Sequence, residues 1–128
     1  MASAKYPIGM KAILDGTIAL LSDTIKVALI DTGVYTYDSA HDFYNDVSAG
    51  VVGTPVALAS KTTTGGVFDA ADTVITAVSG ASIEAVIVYK DTGNAATSPV
   101  LSFHDGLSLT PNGGNITVVW NASGIFAI

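Results

Sequence analysis

The sequence contains no cysteine and no arginine, and only 12% of its residues are charged. Without cysteine, the chain cannot form a disulfide, a thiol nucleophile or a cysteine-ligated zinc site. Without arginine, it lacks the planar donor that recognises phosphate and guanine. Its net charge of −6 also repels nucleic acid. We therefore expect no nucleic-acid partner.

Long hydrophobic runs are missing as well. No stretch reaches the roughly 18 apolar residues of a membrane span, and residues 1–11 lack the apolar core and cleavage site of a secretory signal. We expect an unprocessed, cytosolically made protein with no membrane partner. The length of 128 residues is sufficient for one hydrophobic core. A single domain over residues 1–128 is the expectation.

Short alternating segments separated by Gly and Asn turns predict a mainly all-β fold. The clearest strand is residues 24–30, where apolar and more polar residues alternate. Further strands are expected at residues 17–21, 56–63, 67–68, 73–78, 82–89, 99–104, 116–120 and 124–128. This spacing is typical of an antiparallel β-sandwich or barrel. The predicted buried residues are Ile25, Val27, Leu29, Phe68, Ile87, Val119 and Trp120.

One short helix is predicted near the N-terminus. Pro7 suits a first helical turn and Gly16 suits the position after the last. We therefore expect residues 1–16 to be a helical N-terminal segment, with the helix itself at 8–15. Residues 34–53 are the least regular, and there Ser39 could cap a single helical turn.

The tripeptide Asp-Thr-Gly occurs at residues 31–33 and again at 91–93. Aspartic proteases use this tripeptide to bring two carboxylates together on one shared proton. Here Val34 and Asn94 follow the two copies, where that family has Ala or Ser. We therefore favour two strand-ending turns, in which Asp binds its own backbone and Gly takes a positive φ. The protease remains a remote alternative.

Other polar groups offer weaker candidates for chemistry. Asp38, Asp42 and Asp46, with His41 among them, would form one acidic helix face that could hold a hard cation; a solvated polar face is the preferred interpretation. His104 beside Asp105 resembles part of a catalytic triad, but no nucleophile motif accompanies it. The remaining candidates are interpreted as turn or core residues: Asp69, Asp72, Asn112 to Asn115, and Trp120.

No residue set makes a convincing catalytic, metal or cofactor site, so we predict a protein that is not an enzyme and binds no cofactor. A surface poor in charge and rich in small residues costs little to desolvate. Such a surface suits permanent contacts between subunits.

Several segments, in order along the chain, resemble small structural proteins of tailed bacteriophages. They are 14–16 (LDG), 23–31 (DTIKVALID), 60–72 (SKTTTGGVFDAAD), 86–93 (VIVYKDTG) and 110–120 (TPNGGNITVVW). The resemblance is thinnest over residues 34–55. It implies a virion component that is a cement or decoration protein of the head, or alternatively a head or tail fibre module that binds a host surface.

As a cement protein, the chain would assemble with copies of itself as a homotrimer. It would also bind the major capsid protein and stabilise neighbouring capsid subunits on the virion. Apolar residues near both chain ends are unusual unless the ends are tied down. We therefore expect assembly contacts at Tyr6, Ile8, Ile125 and Phe126.

Overall fold

A computed structural model describes residues 3–127 and shows a mainly β protein with one short N-terminal helix, which confirms the predicted fold class. The helix α1 spans Pro7–Leu14. The strands are β1 Ser3–Lys5, β2 Ile25–Ile30, β3 Val51–Ala57, β4 Val67–Phe68, β5 Thr73–Ile75, β6 Ala85–Lys90, β7 Val100–His104, β8 Ile116–Val118 and β9 Phe126–Ala127. Four 3₁₀ turns lie at Tyr44–Asp46, Ser48–Gly50, Thr64–Gly66 and Ala95–Thr97.

Five antiparallel strands form the central sheet in the order β1-β7-β6-β2-β3. Its middle strands are apolar on both sides: every residue of β6 from Ala85 to Tyr89 is buried. Strands that alternate with polar residues have one wet face, whereas continuous apolar runs are buried on both. Other elements must therefore cover both faces of the sheet.

Two hydrophobic clusters cover the two faces of this sheet. One cluster packs the sheet against α1 and two small ladders, β4-β9 and β5-β8, and includes Val27, Leu29, Phe68 and Trp120. The other packs it beneath the segment 31–50 and includes Ile30, Tyr35 and Ile87. Both clusters share the sheet, so the described residues form one unit.

The N-terminal segment is only partly helical. Ser3–Lys5 forms the edge strand β1 on β7, with Ala4 opposite Phe103, and the helix occupies Pro7–Leu14. A strand forms there because the free edge of β7 offers unpaired backbone groups to the extended chain before Pro7. Residues 1 and 2 lie outside the described residues.

The predicted strand at 17–21 is wrong, because this segment is a turn. The backbone N–H of Ala19 donates to Asp23 Oδ2 over 2.8 Å, and the N–H of Asp23 returns to the carbonyl oxygen of Ala19. The strand predicted at 56–63 is misplaced, since β3 begins at Val51. Pro55 is tolerated inside β3 because β3 is an edge strand, where the missing N–H is not needed.

The prediction that Val119 is buried is wrong. Val119 is 62% exposed, while Val118 and Trp120 on either side are buried. The other six residues predicted to be buried are buried. The strand expected at 124–128 is shorter, at Phe126–Ala127, and Ile128 lies outside the described residues. Ser39 caps no helical turn; the turn starts later, at Tyr44.

Candidate interaction surface

Both Asp-Thr-Gly segments form turns closed by the Asp side chain, as predicted; the predicted positive φ is found at Gly93 (φ 85°) and is wrong for Gly33. The N–H of Gly33 donates to Asp31 Oδ1 over 2.9 Å, and the N–H of Gly93 donates to Asp91 Oδ1 over 2.8 Å. Each carboxylate therefore binds the backbone two residues ahead, as an Asx turn does.

The two turns lie at opposite ends of β2. Asp31 directly follows Ile30, whereas the N–H of Asp91 donates to the carbonyl oxygen of Thr24, just before the strand. The extended chain between them spans about 20 Å. The two carboxylates of one chain therefore cannot share a proton.

The acidic group around Asp42 is not a helix face. The N–H of Asp42 donates to Asp46 Oδ2 over 3.0 Å, and this bond is the main reason that the pKa of Asp46 lies below its usual value. The Asp38 carboxylate accepts from the N–H of Ala40. Across residues 3–127, the structure has no cluster of three His, Asp or Glu side chains suited to a metal ion.

His41 belongs to a hydrogen-bonded chain of aromatic side chains. Its Nδ1 lies 2.7 Å from the hydroxyl of Tyr35, which in turn lies 2.7 Å from the hydroxyl of Tyr6. Tyr6 is fully buried, and burial raises its pKa far above the usual value. These hydrogen bonds anchor the segment 31–50 to the N-terminal segment.

The other weak candidates serve local structure. Asp72 Oδ1 accepts from the N–H of Trp120 over 3.1 Å, and Asp69 Oδ1 accepts from the N–H of Ala70. Asn112 Oδ1 accepts from the N–H of Gly114 and closes a turn. Each of these polar side chains accepts a hydrogen bond from a nearby backbone N–H in a turn or at the end of a strand.

His104 bonds to Ser102, two residues away on the same face of β7, and not to Asp105. The Nε2 atom lies 2.9 Å from Ser102 Oγ, and the ring packs edge-on against Trp120. Burial lowers the pKa of His104 to about 4. Because Ser102 is fully buried, this pair belongs to the core of the chain.

Three of the four residues expected to make assembly contacts lie inside the core of the chain itself. Tyr6, Ile125 and Phe126 are buried, and β9 pairs with β4 so that Phe126 lies opposite Phe68. The apolar chain ends are thus explained by intramolecular packing. Only Ile8, which is 42% exposed, remains free for a contact with another subunit.

An apolar cleft lies beside the end of α1. It has a volume of about 210 Å³ and is lined by Ile13, Leu20, Thr63, Gly66, Phe68 and Phe126. Leu14 and Leu21 follow Ile13 and Leu20 in the sequence and are 70% and 54% exposed. We call the surface formed by the six lining residues the apolar cleft.

A second concave surface lies where β6 begins and β7 ends. Two adjoining cavities of about 410 and 240 Å³ share Tyr37, Phe103 and Asp105 in their walls. We call it the acidic groove, defined by Thr32, Tyr35, Tyr37, Glu84, Phe103 and Asp105. The rings of Tyr37 and Phe103 lie 5.5 Å apart, centre to centre.

The charges of the acidic groove have no cation beside them in the part of the chain that the structure describes. The ion pairs within residues 3–127 lie outside the groove and join Lys11 to Asp15, Lys26 to Asp91 and Lys90 to Asp23. The hydrogen bonds of Glu84, with Ser82 first and then with Thr32, hold its pKa below the usual value. Glu84 is therefore an ionised carboxylate at neutral pH.

The acidic groove was not predicted from the sequence. Its residues come from three separate segments, at 32–37, at Glu84 and at 103–105, which only the order of the strands brings together. One signal was present: Tyr35 and Tyr37 are separated by one residue, as are Phe103 and Asp105. Such spacing places both members of a pair on one side of an extended chain.

No known protein family and no curated protein matches this chain. Within residues 3–127, no helix has the length and apolar character needed to span a membrane.

Proposed function

We propose that this chain is a structural protein of a tailed-bacteriophage virion, a cement or decoration subunit of the head. It assembles as a homotrimer and binds neighbouring subunits of the major capsid protein. The fibre module is the alternative. The proposal combines the resemblance of the sequence to small phage structural proteins with the apolar cleft.

The apolar cleft is the observation that carries the proposal. The cleft is lined mainly by apolar side chains, and Leu14 and Leu21, which follow two of its lining residues in the sequence, are more than half exposed. Exposed apolar patches on a folded protein mark sites of association. We assign the cleft to contacts between copies of the chain, since each copy offers both protruding leucines and an apolar hollow.

The chemistry of the surface is consistent with stable assembly. A trimer is closed by head-to-tail contacts, in which one patch meets a different patch of the next copy. Leu14 and Leu21 supply one patch and the hollow between Ile13 and Phe126 supplies the other. Burying each leucine in the contact contributes roughly 1.5–3 kcal/mol.

Sedimentation of the purified chain and of its Leu14→Ser/Leu21→Ser variant tests this assignment. The unchanged chain should sediment at three times its 13.0 kDa mass, and the variant as a monomer with an unchanged circular dichroism spectrum. Val34→Ser is the matched control, because Val34 is 60% exposed away from the cleft. A monomeric unchanged chain, or a trimer in the double variant, would contradict the assignment.

A further inference from the structure

The floor of the acidic groove is aromatic and held in place. The hydroxyl of Tyr37 donates to the carbonyl oxygen of Lys5 over 2.6 Å, which ties the ring to β1. Phe103 lies within β7, between Ala4 of β1 and Ile87 of β6. A ligand that stacks on these rings would therefore meet a preformed surface.

Two carboxylates stand in the walls of this aromatic groove. Oε1 of Glu84 accepts from both the N–H and the hydroxyl of Thr32, over 3.0 and 3.1 Å, so the side chain is fixed at one wall. Asp105 belongs to the lining of both cavities. Aromatic rings flanked by unpaired carboxylates attract a cation that can also stack.

Among residues 3–127, no lysine amino group is left for this groove. The chain has no arginine. The amino groups of Lys11, Lys26 and Lys90 pair with carboxylates elsewhere, and those of Lys5 and Lys61 donate to the backbone carbonyl oxygens of Ala127 and Asp23. A second copy of the chain would bring more negative charge.

We propose that the acidic groove binds an arginine side chain of a different protein, with the guanidinium group stacked on Tyr37 and paired with Glu84 and Asp105. Only a planar cation uses both features, since it stacks on a ring and donates two parallel hydrogen bonds to a carboxylate. That the different protein is the major capsid protein rests on the proposed function. The preference of the groove for arginine does not.

Two other ligand classes fit the groove less well. A metal ion needs several oxygens converging on one point, and no such cluster exists among residues 3–127. A neutral sugar could stack on the rings, but it would leave the charges of Glu84 and Asp105 uncompensated. Sugar binding is therefore an outcome that the experiment must distinguish.

The test is a titration of the isotope-labelled chain with N-acetyl-arginine amide, followed by the backbone amide signals in NMR spectra. We expect shifts confined to the groove, at Thr36, Tyr37, Asp105 and Gly106, and smaller shifts at high salt. N-acetyl-citrulline amide has the same shape without the charge and should bind more weakly. N-acetylglucosamine serves as the sugar probe.

The double variant Glu84→Gln/Asp105→Asn keeps the size and hydrogen-bonding ability of both side chains and removes their charge. We expect its dissociation constant for N-acetyl-arginine amide to rise about three- to tenfold. Asp15→Asn/Asp91→Asn is the matched control: it removes the same charge away from the groove and should leave binding unchanged.

Three results would overturn the proposal: no shifts at the groove, equal binding of the citrulline compound, or stronger binding of the sugar, which would favour the fibre alternative. An equal effect of the control variant would also overturn the proposal, because binding would then depend only on the net charge of the chain. The titration uses no particle, so arginine binding without trimer formation would contradict the proposed function alone.

Discussion

Gly9 of α1 lies directly against the carbonyl oxygen of Val100 in β7, so that a Cβ atom on Gly9 would stand 2.0 Å from that oxygen. The helix therefore rests on the sheet with its backbone. This contact sets the distance between α1 and the sheet. Tyr6 belongs to one of the two hydrophobic clusters, and Met10 and Ile13 pack against the other.

Gly9→Ala should lower the free energy of unfolding by about 1–3 kcal/mol, because the added methyl group must displace a backbone carbonyl. Alanine favours a helix over glycine by roughly 0.5–1 kcal/mol, which offsets only part of the cost. Urea unfolding followed by circular dichroism measures the change. Lys11→Ala, on the exposed side of the same helix, should shift stability by less than about 0.5 kcal/mol. Equal stability of Gly9→Ala and the unchanged chain would show that helix and sheet are farther apart.

Leu29→Ala should destabilise the chain by about 2–5 kcal/mol, since the side chain is 1% exposed in the middle of the central sheet. Val119→Ala should cost less than about 0.5 kcal/mol, because Val119 points into solvent. The same unfolding experiment compares the two. A loss at Val119 as large as that at Leu29 would mean that the register of the chain after β8 is shifted by one residue.

Asp31→Asn should cost at most about 1 kcal/mol. The amide oxygen of asparagine can still accept the hydrogen bond from Gly33, so the turn at the end of β2 persists. Thermal unfolding and sedimentation of the variant measure stability and assembly, and both should be close to those of the unchanged chain. Peptide cleavage at acid pH that disappears in Asp31→Asn would instead favour the protease alternative.

Stability should fall as the pH is lowered from about 6.5 to about 4, because His104 stays neutral in the fold over this range. The unfolded chain binds a proton there and the folded chain does not, so the free energy of unfolding rises with pH. The loss amounts to roughly 3 kcal/mol at most. In His104→Gln the dependence over this range should flatten. If the pH dependence of stability is unchanged in that variant, groups other than His104 cause it.

The three central strands could be predicted because their sequences carry the cause of their structure. Residues 25–30, 85–90 and 100–104 are short, mainly apolar segments bounded by turn residues, and such segments favour strands. The segment 17–21 is equally apolar but turns, because Asp23 captures the N–H of Ala19. That bond depends on where one side chain points, which composition does not reveal.

The candidate surfaces were harder to predict, since they depend on which segments meet. Phe126 belongs to an apolar chain end, and only the pairing of β9 with β4 shows that the subunit covers it. Leu14 has the same apolar character and is left exposed. Likewise, Glu84 and Tyr37 line one cavity because β6 begins near the segment that follows β2.

The central claim is that the chain is a subunit of a virion head. Cryo-electron microscopy of intact phage particles, purified from a lysed culture of the host that carries the gene, tests it most directly. We predict density for three copies of this fold on the outer face of the head, over contacts between capsid subunits, with the acidic groove against an arginine. Particles in which this density is absent, or is found only in a fibre, would contradict it.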